Sequence, residues 1–243
     1  MNIIKVNAIP STNDFVKEYY TGNSKFEPVC VRALEQTAGR GQRGAIWNTK
    51  PGENLTFSIL YPKIDVQLNR QFLLSASVSL VVLEVLKNLG VPKLSVKWPN
   101  DILSGNQKIC GILIENLLKR NEISASVIGI GLNVNQTDFG DLNQAASLKI
   151  ITGETFNIDE ILKKLILELE NRLSKLSINT ERTFLEEYAS KMFKKDIVST
   201  FQEKDGKYFN GIIRGVTTQG LLNVEVEEGV FRTFDLKEVK LMY

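Results

Sequence analysis

A mixed α/β domain followed by a small all-β unit is the fold class that the order of local patterns predicts. Three observations lead there. Strand-like runs and helical periodicities are interleaved as far as Lys191. One long apolar helix, Gln71 to Asn88, lies within that region, stopped by Gly90 and Pro92. From Asp196 the texture changes to short strands split by Asp205 and Gly206, Gln219 and Gly220, and Glu228 and Gly229, a spacing typical of a small barrel. The expected division is residues 1–192 and 193–243, with a short linker over Met192 to Lys195.

Taken in order, residues 2–6 read as a strand. Pro10 and the run Ser11, Thr12, Asn13, Asp14 then start a helix. Ser11 or Thr12 can cap the free amides and Asp14 suits the positive end of the helix dipole, so capping competes with any ligand role for this run. Val29 to Gln36 is a strand, Thr37 to Glu53 a glycine-rich loop, and Asn54 to Tyr61 a strand ending before Pro62. Ser124 to Ile130 is a further strand, with Gly129, Gly131 and Asn133 read as its turn, and a connector without clear pattern runs to Asn157. Two amphipathic helices follow, Asp159 to Lys175 and Thr180 to Lys191.

Composition removes whole classes of chemistry. The 243 residues are 43% hydrophobic and 24% charged, which suits a globular chain with a real core. Net charge is +2, so the chain as a whole has no electrostatic reason to seek nucleic acid. There is no histidine, which excludes Ser/His/Asp and Cys/His nucleophile systems and His-ligated zinc. Cys30 and Cys110 each sit in an apolar run, so neither a disulfide framework nor a four-cysteine metal site is possible, and a reducing cytoplasm is expected. The start MNIIKVNAIP carries no export signal, and Phe72 to Leu89 is interrupted by Ser75, Glu84 and Lys87, so it reads as a buried helix and not a membrane span.

The most informative stretch is KWPNDILSGNQKICGILIE, Lys97 to Glu115. Pro99 with Asn100 and Asp101 makes a turn after a strand, and Gly105 with Asn106 a second reversal. Lys108 then heads an apolar strand three residues before Gly111. Either it reaches solvent from an edge strand, or it enters a pocket where an anion offsets its desolvation and Gly111 lets a ligand approach the backbone.

The other candidate is Gly39, Arg40, Gly41, Gln42, Arg43, Gly44, which matches the dinucleotide-binding pattern letter for letter. That pattern needs a following helix, and here Asn48 to Gly52 continues the loop, so a Rossmann reading is rejected. Arg40 and Arg43 among glycines still make a plausible anion cradle. Trp47 either stacks on a ligand or anchors the core.

With these pieces assembled, the chain resembles biotin protein ligases, which activate biotin as its adenylate and transfer it to a lysine of a carboxylase carrier domain. The resemblance rests on Ser11, Thr12 and Asn13; on Gln36 to Trp47 with its GRGQRG core; on Pro51, Gly52, Asn54 and Leu55; on KWPND from Lys97; on Lys108 with Gly111 and Glu115; and on Gly129, Gly131 and Asn133 in Gly, Ile, Gly, Leu, Asn, Val, Asn. It implies a catalytic domain related to class II aminoacyl-tRNA synthetases, with a mixed sheet flanked by helices, and a C-terminal SH3-like barrel.

Position by position, the resemblance implies that Ser11, Thr12, Gln36, Gly39, Arg40, Lys108, Gly111, Gly129 and Gly131 line a biotin pocket. Arg43, Trp47, Asn100, Asn133 and Lys108 lie toward ATP or the adenylate, and Lys108, Arg40 and Asp101 are the catalytic groups. ATP is expected with Mg2+, whose protein ligands the sequence does not name, and the protein partner is a biotin carboxyl carrier domain. Relatives that double as repressors add an N-terminal helix-turn-helix. Here Ser11 and Thr12 already belong to the catalytic domain, so a monofunctional enzyme without specific DNA binding is expected. Relatives also dimerise through an exposed sheet edge, which makes a homodimer an expectation of the resemblance.

Where many relatives have arginine, this chain has Gln42, and its loop is less cationic for it. The rival readings are a lipoate or octanoyl ligase or transferase of the same fold, and a non-catalytic biotin-binding module.

Overall fold

Strands rich in branched apolar residues pair here into one large sheet, because several of them are apolar on both faces and must be covered on both. The computed structural model describes residues 1–22, 27–62, 64–177 and 179–243, the side chains of Gly22 and Arg43 excepted. β1 (Asn2–Ile9) leads into α1 (Thr12–Gly22), where the Ser11 hydroxyl accepts from the Asp14 amide at 3.3 Å and caps the helix. β2 (Val29–Gln36), β3 (Leu55–Pro62) and α2 (Phe72–Asn88) follow. Then β4 (Leu94–Lys97), β5 (Asp101–Ser104), β6 (Gln107–Lys119) and β7 (Glu122–Leu132) form a meander. The seven-stranded sheet has the order β1-β2-β3-β7-β6-β5-β4, with β1 and β2 parallel and the other neighbours antiparallel.

Its two faces differ in what covers them. Phe57 and Ile59 on β3, Ile112 on β6 and Ile128 and Ile130 on β7 point to the main core with α2, α4 (Ile158–Leu173) and α5 (Glu181–Ser190), which follow the short α3 (Leu148–Thr152). The alternate residues Leu60, Ala125 and Val127 pack with Val16 of α1 in a second cluster on the other face. Asn157 caps α4 by accepting from the Asp159 and Glu160 amides at 3.0 and 3.3 Å. Among the described residues one helical stretch, Leu68–Asn88, is long and apolar enough to cross a membrane; 72% of its apolar window is buried inside the fold.

The second sheet has five antiparallel strands, β8 (Val198–Glu203), β9 (Tyr208–Val216), β10 (Leu222–Glu227), β11 (Val230–Phe234) and β12 (Val239–Leu241), in the order β11-β10-β9-β8-β12, and is SH3-like. Its turn at Gly220 has φ of 87°, and an added Cβ there would lie 2.3 Å from the Phe72 ring. The Gly220 carbonyl accepts from the Trp98 indole at 2.9 Å, and Val96 bridges to Met192, so the two sheets are joined where the meander turns.

One expectation is corrected. Gly129 and Gly131 do not form a turn: both lie inside β7, a central strand paired to β3 and β6, which runs on to Leu132. Glycine there makes room for side chains approaching the sheet, as the site shows, and does not break the strand. The connector up to Asn157 also contains the helical turn of α3.

Both thiols are buried and free. Burial pushes Cys30 up to about 12, with the nearby amino terminus pulling the other way. Cys110 is raised too, chiefly by burial, against a lowering by Lys108. Stability linked to Cys30 is therefore full below the ordinary thiol range and is lost as pH rises toward about 12. Iodoacetamide at about pH 8 is expected to leave both thiols unmodified in the native protein and to modify both after denaturation, counted by intact mass.

Candidate functional site

Residues directly opposite one another in adjacent strands share a face, so the sheet register builds the floor of the site. One row runs Thr56, Gly131, Gly111, Asp101, Lys97 across β3, β7, β6, β5 and β4. The next row on that face is Ser58, Gly129, Leu113. Gly131 and Gly111 lie side by side and leave a trough, and the Trp47 ring lies in it: a Cβ on Gly131 would be 2.4 Å from the indole and one on Gly111 3.1 Å. The indole N–H is buried there with no acceptor among the described residues.

Simple alternation along β6 would turn Lys108 away from Gly111, toward the core. A bulge prevents it. Ile102 pairs with Cys110 and Leu103 with Lys108, so Ile109 is an extra residue. Ile109 is buried in the core, and Lys108 emerges on the face of the trough, where its ammonium meets Asp101 at 2.6 Å and lies 5.5 Å from the Trp47 ring centre.

The glycine loop is closed on itself as a small hairpin. The amide of Gly41 donates to Ala45 at 2.7 Å, that of Trp47 to Gly39 at 2.9 Å, and Arg40 bridges to Ile46. Arg40 is ion-paired with Asp14 on the first turn of α1, and Lys17 reaches both Asp14 at 3.3 Å and Glu115 at 2.5 Å.

Behind the trough lies a buried polar cluster. The hydroxyls of Ser58 and Thr12 are 2.6 Å apart, Ser58 is 2.5 Å from Asn13 Oδ1, and Thr12 is 2.9 Å from Gln36 Oε1. Gln36 Oε1 also accepts from the Thr12 amide at 2.7 Å, and Asn13 donates to Glu115 at 2.7 Å.

The trough, the glycine loop and the Thr12, Asn13 and Gln36 end of the polar cluster open on one cavity of about 690 Å³. Ser11, Thr12, Gln36, Arg40, Trp47 and Asn100 line it, as do Asp101, Lys108, Gly111, Gly129 and Gly131. The Asn100 amide is engaged with the Ile112 carbonyl at 2.5 Å. Gly39 is not on the lining; a Cβ there would lie 2.3 Å from the Trp47 carbonyl, so its lack of a side chain closes the hairpin. Asn133 is also off the lining, buried, with its amide donating to Ala146 at 2.9 Å. The Arg43 side chain lies outside the described residues.

Sequence reasoning missed the cavity wall supplied by the second sheet and its approach. Phe193 stacks edge-on with Tyr243 at 4.9 Å, Lys97 lies 4.8 Å from the Tyr243 ring centre, and Gln144 donates to the Tyr243 carbonyl at 3.2 Å. No local pattern announces these contacts. Asn13 and Ser58 had a signal: a third capping-type residue after Ser11 and Thr12, and a serine inside an apolar strand, both of which need buried partners.

Chemically, the cavity offers two cations held by carboxylates, a flat aromatic over a glycine trough, and a cluster rich in buried acceptors. It suits an elongated anionic ligand with a polar head. Cys110, beside Lys108, is no nucleophile, because burial keeps it protonated. Among the described residues no group of three or more Cys, Asp or Glu could hold a metal ion.

Comparison with known proteins gives concordant matches. Residues 6–133 match the Biotin/lipoate A/B protein ligase family. The bifunctional ligase/repressor BirA of Salmonella typhimurium is 31% identical over 245 residues, covering 99% of this chain and 74% of that protein. A biotin–[acetyl-CoA-carboxylase] ligase of Mycobacterium tuberculosis is 28% identical over 219 residues, 89% of this chain and 80% of that one. The biotin protein ligase of Aquifex aeolicus, solved in complex with biotin and ATP, superposes with a TM-score of 0.79 at 26% identity, over 99% of this chain and 98% of that one.

Proposed function

The chain belongs to the Biotin/lipoate A/B protein ligase family, and from that premise we propose that it is an ATP-dependent biotin protein ligase acting on a biotin carboxyl carrier domain. The observation behind this reading is that Arg40, Lys108, the Gly111–Gly131 trough and the Thr12–Gln36 cluster share one cavity. In the first half-reaction the biotin carboxylate attacks the α-phosphorus of ATP, and the bond to pyrophosphate breaks. Two anions must approach, so Arg40 and Lys108 exchange Asp14 and Asp101 for the ligand's oxygens and hold the charge as it moves to the leaving group. Thr12, Gln36 and Ser11 hold the ureido head, while Trp47 covers the bound acyl adenylate. Asn100 faces the nucleotide, and the family resemblance assigns Arg43 to it as well.

In the second half-reaction a carrier lysine attacks the acyl carbon, AMP departs, and the amine loses a proton. Asp101, released from Lys108 by the ligand, orients or accepts from that amine. Magnesium would come with ATP, bound through the nucleotide's phosphates and water, and would offset phosphate charge there. The setting is the cytoplasm, where both thiols stay reduced. A homodimer would form through a sheet edge, β1 or β4.

The lipoate reading is disfavoured by the buried polar cluster, which suits a head with N–H and C=O groups better than a dithiolane ring. Incubation with ATP, magnesium, biotin and a carrier domain is expected to add one biotinyl group to one carrier lysine, read by intact mass and peptide mapping. A lipoyl adduct in place of the biotinyl one overturns the reading.

A further inference from the structure

We infer that Glu115, acting through Asn13 and Ser58, fixes the direction of the hydroxyl protons behind the trough so that Thr12 and Gln36 present only acceptors to the cavity. Glu115 is thereby a positioning residue that selects a ligand head carrying an N–H donor. The inference rests on the biotin reading of the cavity.

The argument is a count of protons. Glu115 Oε2 and the Leu113 carbonyl, at 2.7 and 3.4 Å from the Asn13 amide, can only accept, so the amide nitrogen faces them. Asn13 Oδ1 therefore faces Ser58 and requires the single Ser58 proton across 2.5 Å. Ser58, having given its proton, accepts from Thr12, because at 2.6 Å this is the shorter of the two oxygen contacts open to the single Thr12 proton, against 2.9 Å to Gln36. Gln36 Oε1 is identified as oxygen because it accepts the Thr12 amide at 2.7 Å.

The 2.9 Å contact between Thr12 Oγ1 and Gln36 Oε1 is then left with no proton at all. Three oxygen–oxygen contacts share two hydroxyl hydrogens; Thr12 is 2% exposed, Asn13 4% and Ser58 0%, and Thr12 and Gln36 line the cavity, so the missing proton has to come from the cavity side. A ureido N–H directed between Thr12 and Gln36 does.

Two further features hold the direction. Lys17 pairs with Glu115 Oε1 at 2.5 Å, which leaves Oε2 to face Asn13 at the head of the relay. Gly129 lies where a Cβ would be 2.4 Å from Asn13 Oδ1, so glycine alone lets that amide reach Ser58.

In Glu115→Gln the amide can donate to Asn13, which then flips. The whole relay reverses: Asn13 donates to Ser58, Ser58 to Thr12 and Thr12 to Gln36, and the site no longer lacks a proton. The test measures, by titration calorimetry, the affinity for biotin and for each of its two cyclic carbamate analogues, in which one ureido N–H is replaced by oxygen. The wild-type chain is expected to prefer biotin over one carbamate by about ten- to a hundredfold, and Glu115→Gln to compress that ratio to about threefold or less.

Ser58→Ala, which deletes the hydroxyl in the middle of the relay, frees the Thr12 proton for Gln36 and is expected to compress the ratio as well. Equal losses for biotin and both carbamates in the two variants, with the ratio intact, overturn the inference and make Glu115 structural. No biotin binding by the wild-type chain overturns the biotin reading itself, and this inference with it.

Discussion

Lys108→Ala is expected to reduce adenylate formation by about 10²–10³-fold, measured as pyrophosphate release at saturating biotin and ATP, with circular dichroism unchanged. That is the scale for removing one preorganised donor from a developing oxyanion. The effect should fall on kcat more than on KM, because the ammonium is held by Asp101 at 2.6 Å before a ligand arrives and is given over to the ligand as charge builds. Truncation also leaves Asp101 facing the incoming carboxylate without a counter-charge. Lys108→Ala combined with Asp101→Asn should therefore recover part of the biotin affinity but none of the rate. Unchanged pyrophosphate release in the single variant would mean the reacting centre lies elsewhere in the cavity.

Gly131→Val is the second large effect. Its Cβ alone would stand 2.4 Å from one indole carbon of Trp47 and 2.6 Å from its nitrogen, so the ring must leave the trough. A loss of about 10²-fold in kcat/KM for adenylation is expected, alongside a stability cost of about 1–3 kcal/mol from overpacking. Gly111→Ala, whose Cβ would stop 3.1 Å from the same ring, should be milder. That order, read from steady-state kinetics and thermal melts together, ties the glycines to the indole. Wild-type kinetics in Gly131→Val would show that the trough is not used.

Local patterns made the scaffold readable: Val29 to Gln36 is a strand with those limits, and the central helix and the hairpin of the Lys97 stretch lie where turn and capping residues put them. Lys108 shows where such reasoning ends. Its spacing from Gly111 pointed to a shared pocket, but strict alternation would have aimed it at the core, and the bulge at Ile109 that re-aims it leaves no mark in the sequence. Gly129 and Gly131 misled for a related reason. A Gly-x-Gly-x-Asn run reads as a turn unless one knows that Asn13 and Trp47 press on the strand from outside. The Asp14 partnership with Arg40 joins a helix start to a distant loop, and only the assembled sheet reveals it.

The core is shared by both sheets. Leu222, Val224 and Phe234 of the smaller one belong to the same buried cluster as Ile112 and Ile130 of the larger and as Leu86 of α2 and Tyr188 of α5. Tyr188, whose ionisation burial pushes upward, spends its hydroxyl on the Pro99 carbonyl at 3.0 Å, beside the turn that meets Gly220. A single cooperative melting transition is therefore expected for the whole chain, not one for each sheet. Any ligand that tightens the cavity raises the melting point of the barrel along with that of the sheet, and damage to the barrel's interior reaches the reacting groups without touching them.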